Sequence, residues 1–415
     1  MRSLWRYKVM LLEHWCTMAK TRKGKKEASS WSKEHSLVME SSYATPAITI
    51  IRGSGCYLVD VDGKRYLDFL GGIATNALGA AHPDLIGAVT RQMKRVSHLS
   101  NFYGNPESLK LARELQLMVG DDQARIFFSN SGAEANEAAI KISRLTGRTR
   151  LVATTGSFHG RTMGALSLTG QDKKQRPFRP LLKDVKFVPY GDLKAMKRAI
   201  TKRTAMVIVE PIQGENGVIV APVGYLKGIQ ERCAETGTLF AVDAIQTGVG
   251  RCGSWFGWDE EIAPDLITIA KGIGGGLPLA ATIIRGRSPH FSPGEHGSTF
   301  GGNPVAAAAA NQVLATIKKK NLMKHVLEMG SLIKAEAAKV EGVLDVRGRG
   351  LLLGIVIERP FAKELVLDLA DRGVLANATS ENVIRLAPPL IIGKREVSTF
   401  TKALAESLNM RMRAS

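Results

Sequence analysis

The sequence predicts an α/β fold, with a large domain built on a mostly parallel central sheet covered by helices and a smaller α+β domain beside it. Three observations carry that expectation. Between about Ala124 and Arg287, six short β-branched or aliphatic runs (RIFFSN, RLVATT, DVKFVPY, MVIVEP, LFAVDA and LITIAK) alternate with helical stretches or loops, as a helix-covered parallel sheet does. Beyond Asn303, an Ala-rich helical stretch leads into a mixture of strands and helices. The 415 residues, 44% hydrophobic and 23% charged, are enough to bury such a core.

Taken in order, the chain opens on MRSLWRYKVMLLEHWCTMAK, whose apolar patch is broken by Glu13 and His14 and lacks a small-residue cleavage site. It does not read as a secretory signal. The basic TRKGKKEASSWSKEHS that follows reads as a disordered tail, or as sequence upstream of a later start such as Met18, in preference to a nucleic-acid arm. From Ile48, ITIIRGSGCYLVDVDGKRYLDF alternates apolar with polar residues around an Asp62-Gly63 turn, predicting a small meander. Helices are expected around LIGAVTRQMKRV and from Pro106, then the α/β segment. After it come the helix PVAAAAANQVLATIKKK, a second amphipathic helix through Ala338, and the mixed C-terminal part.

The formal charge of +19 invites a nucleic-acid reading, but the bases are scattered, with no zinc pattern, RNA-binding signature or aromatic platform. A basic enzyme handling anionic metabolites fits better than a specific nucleic-acid partner. Cys16, Cys56, Cys233 and Cys252 show neither CxxC pairing nor framework density, so no metal and no disulfide is expected and a cytoplasmic location fits. No apolar run reaches the roughly 18–20 residues that span a bilayer.

The most informative stretch is FAVDAIQTGVGRCG followed by PDLITIAKGIGGGLP. A carboxylate ends one strand at Asp243 and a lysine ends the next at Lys271, both where ligands collect in an open α/β sheet. Pyridoxal phosphate needs such a pair: a lysine to hold its aldehyde as a Schiff base, and an anion to keep its ring nitrogen protonated. In SNSGAEANEAAIKI a helix opens at about Ser131, and the amides of Gly132 and Ala133 suit a phosphate. FHGRT offers Phe158 for stacking and Arg161 for a carboxylate clamp. Arg385 lies inside the apolar NVIRLAPPL and needs a partner, for which Glu215 is the candidate. Each has an ordinary reading alone: a surface lysine, a helix cap, a core ring, a surface ion pair. A nicotinamide dehydrogenase would need a GxGxxG turn after the first strand, and none is present.

With these residues the chain resembles the class III aminotransferases, and within them the bacterial members acting on acetylornithine. The resemblance runs from about Ser42 to the C-terminal helix through SGAEANEAAIK, FHGRTMGALSLTG, VEPIQGENGV, Asp243 to Gly253, AKGIGGGLP and HGSTFGGNPVA. It implies a fold type I homodimer with active sites at the subunit interface. The implied layout is a tail over 1–38, a segment 39–90 contributing to the small domain, a large cofactor domain over 91–315, and the rest of the small domain over 316–415. In that picture Lys271 carries the cofactor, Asp243 pairs with its ring nitrogen, Gln246 reaches its ring hydroxyl, Gly132 and Ala133 hold its phosphate, and Phe158 stacks on it. Thr299 reaches the neighbouring subunit's phosphate, with Ser298 beside it near the substrate. Arg161 takes a substrate carboxylate; Arg385, released from Glu215, takes the carboxylate next to the reacting carbon of glutamate.

The implied reaction moves the terminal amine of N-acetylornithine to 2-oxoglutarate, giving N-acetylglutamate 5-semialdehyde and glutamate in arginine biosynthesis. Ornithine, succinyldiaminopimelate, lysine-type and 4-aminobutyrate donors are the alternatives. Two departures stand out: Asp243-Ala244-Ile245-Gln246 where the family usually has Asp-Glu-Val-Gln, and Ala80 where it usually has histidine. The first puts the support of the cofactor in doubt.

Overall fold

Buried parallel strands must satisfy their backbone within the sheet and bury apolar side chains on both faces, and the central runs of this chain do both. The computed structural model describes residues 26–258 and 261–414. Its central sheet has seven strands, in the spatial order Arg125–Ser129, Ala280–Ile284, Leu266–Ile269, Leu239–Asp243, Thr204–Val209, Arg150–Thr154 and Val185–Val188. All six expected runs are present. The seventh strand, Ala280–Ile284, runs antiparallel to both neighbours, and the remaining pairs are parallel. It escaped the sequence reading because a short apolar run just after a glycine-rich turn has no period of its own.

Alternation along Thr204–Val209 shows how the layers form. Every residue of this strand is buried. Met206 and Ile208 pack with Ala139, Ile140 and Ile142 of the helix Gly132–Arg144. Val207 and Val209, one step out of phase, pack with Met196 and with Tyr225, Leu226 and Ile229 on the opposite face. Strand ends therefore stay in place, which matters because the chemistry sits on them.

The strands Val343–Arg349, Leu352–Ile357, Val383–Leu386 and Asn377–Ser380 form a separate antiparallel sheet in that order. The helices Leu322–Ala337 and Ala362–Asp371 pack with it, and Lys394–Ala414 packs with both of those helices. The expected helices at Pro83–Met93, Pro106–Val119 and Pro304–Lys319 are present. Pro106–Val119 and Pro304–Lys319 have Asn105 and Asn303 as N-caps, whose side chains accept from Ser108 N and Ala306 N.

The described residues divide into two compact units. One holds residues up to Gly53 together with Tyr57–Tyr66, and the other holds Ser54–Cys56 and everything from Leu67 onward. In the first, Asp60 Oδ1 accepts from the amides of Asp62 and Lys64 at 3.0 and 2.8 Å, and its Oδ2 accepts from Tyr66 Oη at 2.8 Å. Those bonds build the expected Asp62-Gly63 turn, with Gly63 at φ 82°. The same unit holds a helix at Lys26–Val38, within the stretch expected to be a disordered tail; residues 1–25 lie outside the described residues. In the second unit Leu67 and Asp68 pair in parallel with Val374 and Leu375. No helix among the described residues is long and apolar enough to cross a membrane.

Ile208 is fully buried on the face of the sheet that meets the helix Gly132–Arg144. Ile208→Ala is expected to lower the unfolding free energy by about 2–5 kcal/mol through lost burial and a residual cavity. Urea midpoints check this, with Val223→Ala at a fully exposed position as the control.

Candidate active site

The carboxyl ends of the parallel strands open onto one cavity of about 470 Å³. Asn130, Ser131, Gly132 and Ala133 line it from the turn after Arg125–Ser129, and Phe158, His159, Gly160 and Arg161 from the segment beyond Arg150–Thr154. Glu210, Asp243, Gln246 and Lys271 line it from the ends of three more strands. The sequence candidates Gly132, Ala133, Phe158, Arg161, Asp243, Gln246 and Lys271 are thus brought together.

Asp243 is almost wholly buried, and three groups donate to it. Asn136 Nδ2 and His159 Nδ1 reach Oδ2 at 2.9 and 2.7 Å, and the Ile245 amide reaches Oδ1 at 3.0 Å. A carboxylate can only accept, so His159 Nδ1 carries its hydrogen. Asn136 is oriented in turn: its amide also donates to His159 O at 2.7 Å, and its Oδ1 accepts from Thr268 Oγ1 at 2.9 Å. Ala244 is buried beside this network and contributes only backbone, accepting from Gly248 N and donating to Thr268 O. Asp243 is thus held by donors from other elements, with no side-chain contribution from Ala244. Ala80 likewise acts through its backbone, exchanging two hydrogen bonds with Gly55.

Glu210 contrasts with Asp243. Its Oε2 accepts from the Phe158 amide at 3.0 Å. Burial above all, and then the charge of Asp243, push its carboxyl well above the usual carboxylate range. Lys271 begins a single 3₁₀ turn with φ 49°, and burial holds its ammonium below the ordinary lysine range although Asp243 and Glu215 oppose the shift.

At the opposite wall Ser131 caps the helix Gly132–Arg144 by accepting from Glu134 N, while Glu134 Oε2 accepts from the Asn130 amide. The helix thus presents its positive end and the Gly132 and Ala133 amides to the cavity. A side chain at 132 would not fit, since a Cβ there would stand 2.7 Å from Ile245 Cδ1.

Arg385, on Val383–Leu386, is 1% exposed and pairs with Glu215. Its guanidinium also donates to Gln246 Oε1 at 3.2 Å and to Asn377 Oδ1 at 3.1 Å. Burial alone would raise the Glu215 carboxyl, but the charge and hydrogen bond of Arg385 outweigh it and hold the group below its usual value. Arg161 is exposed, with its guanidinium carbon 5.6 Å from the Phe158 ring centre. Ser298 and Thr299 do not line the cavity of their own chain. Ser298 Oγ accepts from Asn130 Nδ2 at 3.2 Å and from Gly301 N at 3.0 Å, and Thr299 is exposed.

The donor set fits pyridoxal phosphate: an amine below its ordinary range, a fixed carboxylate, an anion-binding helix end and an aromatic face share one small cavity. His159 Nε2 is buried without a hydrogen-bond partner among the described residues. Sequence reasoning assigned no role to Asn136, His159 or Glu210. A polar residue among the alanines of a helix, and a histidine between Phe158 and Gly160, were the available signals.

A family model for aminotransferase class-III matches residues 38–408. The acetylornithine aminotransferase of Streptomyces coelicolor is 51% identical over 369 residues, which cover 88% of this chain and 92% of that protein. The ornithine aminotransferase of Toxoplasma gondii, crystallised with partial occupancy of pyridoxal phosphate at its active site, superposes with a TM-score of 0.88. It is 30% identical, over 96% of this chain and 97% of that one. The acetylornithine aminotransferase of Elizabethkingia anophelis gives a TM-score of 0.80 at 28% identity, over 92% and 99%. With a strand-end lysine and carboxylate facing one cavity and a family match across most of its length, the chain belongs to the class III aminotransferases.

Proposed function

We propose that this chain is a pyridoxal-phosphate-dependent transaminase that moves the terminal amine of N-acetylornithine to 2-oxoglutarate, as a cytoplasmic homodimer in arginine biosynthesis. The observation that carries the reading is the convergence of Lys271, Asp243 and the Gly132–Arg144 helix end on one cavity. The choice of donor rests on half-identical relatives named for acetylornithine.

Bound in this cavity, pyridoxal phosphate supplies an aldehyde that captures amines and a ring that accepts the electrons of the cleaved C–H bond. The protein's part is electrostatic and positional. Burial lowers the Lys271 ammonium and so favours the uncharged amine that attack on a carbonyl carbon and proton movement both require. Asp243, fixed by Asn136, His159 and the Ile245 amide, would hold a protonated ring nitrogen. Gly132 and Ala133 would take the phosphate and Phe158 would cover the ring, with Gln246 placed for the ring hydroxyl.

Arg385 and Glu215 act as an exchangeable pair. Glu215 neutralises the buried guanidinium when no substrate is present, and a substrate carboxylate would replace it. Arg161, left exposed at the cavity wall, would take the carboxylate at the substrate's other end. Ser298 and Thr299, outside their own cavity, would serve the partner subunit's site.

Glutamate formation from 2-oxoglutarate is the direct test. N-acetylornithine is expected to be the best donor, ahead of ornithine, 4-aminobutyrate and succinyldiaminopimelate, and Lys271→Ala is expected to lower kcat by at least about 10³-fold. Preference for another donor overturns the substrate, and full activity of the variant overturns the mechanism.

A second expectation concerns pH. The folded-state pKa of Glu215 lies below its unfolded value, so its stabilisation is present above about pH 4.3 and is lost as pH falls through the folded value. Urea midpoints measured across that acid window should fall less steeply for Glu215→Gln than for the parent; parallel slopes would contradict the assignment.

A further inference from the structure

A second cation stands against the ring beside which Arg161 lies. Lys174, on the short helix Asp172–Gln175, holds Nζ 5.0 Å from the centre of the Phe158 ring. Arg161 holds its guanidinium carbon 5.6 Å from the same centre. Lys174 is positioned by a relay: its ammonium donates to Gln171 Oε1. Gln171 Nε2 donates to the carbonyls of Gly156 and Ser157 at 3.1 and 3.2 Å, directly before Phe158 in the chain.

Among the described residues the pair has no counter-ion at ion-pair distance. Arg385 is neutralised by Glu215, whereas among the described residues no carboxylate lies within ion-pair distance of Arg161 or Lys174. Two positive groups beside one aromatic ring, close enough for Arg161 to lower the Lys174 ammonium, disfavour each other unless an anion joins them. The Lys174 ammonium reflects this: burial lowers it, Glu215 opposes, Arg161 and Arg385 lower it further, and Glu210 opposes. A carboxylate has about four lone-pair sites, enough for a planar guanidinium and a compact ammonium together.

We propose that Lys174 and Arg161 form a two-cation seat for the carboxylate at the end of the substrate remote from the reacting carbon, which makes Lys174 a specificity-determining residue. The proposal rests on the transaminase reading, in which Arg385 serves the near end. The substrate class that satisfies both ends is a short dicarboxylate, or an amine whose carboxylate lies at the far end of its chain.

The test compares two non-reacting five-carbon probes, glutarate and its uncharged diamide glutaramide, titrated calorimetrically into the cofactor-loaded dimer. In Lys174→Met the ratio of glutarate to glutaramide affinity is expected to fall about tenfold, the size of one lost charge-assisted hydrogen bond, and Lys174→Arg is expected to restore most of it. An unchanged ratio in Lys174→Met, or an equal loss for both probes, overturns the seat. Turnover of the parent enzyme with 2-oxoglutarate, measured alongside, separates the two ideas. No turnover with the glutarate preference intact and lost in Lys174→Met removes transamination and leaves the seat, whereas turnover with an unchanged ratio removes the seat and leaves transamination.

Discussion

A buried carboxylate persists as an anion only where donors replace its lost water, and the active-site end of this fold is arranged around one such group. Asp243 ends the middle strand of the large sheet, and its donors come from different parts of the chain: Asn136 from the helix Gly132–Arg144, His159 from the segment after Arg150–Thr154, and its own turn through Ile245. Each donor that satisfies the charge also fixes an element lining the cavity. The position of the helix end at Gly132, of the Phe158 ring and of the strand leading to Lys271 through Thr268 is thereby tied to one carboxylate.

Charge is divided by the same reasoning across the rest of the cavity. Two carboxyl groups face it, and the one with fewer donors, Glu210, is driven toward its neutral form by burial and then by the charge of Asp243. The cations divide likewise: Arg385 is deeply buried and paired, whereas Arg161 is exposed and unpaired among the described residues. The guanidinium of Arg385 is therefore held by an internal carboxylate, whereas Arg161 offers positive charge outright at the cavity wall.

Much of this was legible in the sequence because it depends on local rules. Strand runs announce their ends, so Asp243 and Lys271 could be assigned to the edge where ligands collect, and Ser131 before Gly-Ala-Glu134 marked a helix start. The Asp62-Gly63 turn was legible for the same reason. What was hidden depends on distance along the chain. Asn136 and His159 gain their meaning from contacts with Asp243 that lie 107 and 84 residues away. Ala280–Ile284 needed its neighbours to be read as a strand. The surroundings of Ala244, buried and bonded through its backbone alone, were equally hidden.

The central claim is that Lys271, among the many lysines of a strongly basic chain, is the one whose amine takes the cofactor. Borohydride reduction of the purified protein mixed with pyridoxal phosphate, followed by mass spectrometry of its peptides, tests this directly. The account predicts one pyridoxyl group per chain on the peptide containing Lys271, and no stoichiometric label in Lys271→Ala. A label spread over surface lysines, or retained by the variant, would contradict it.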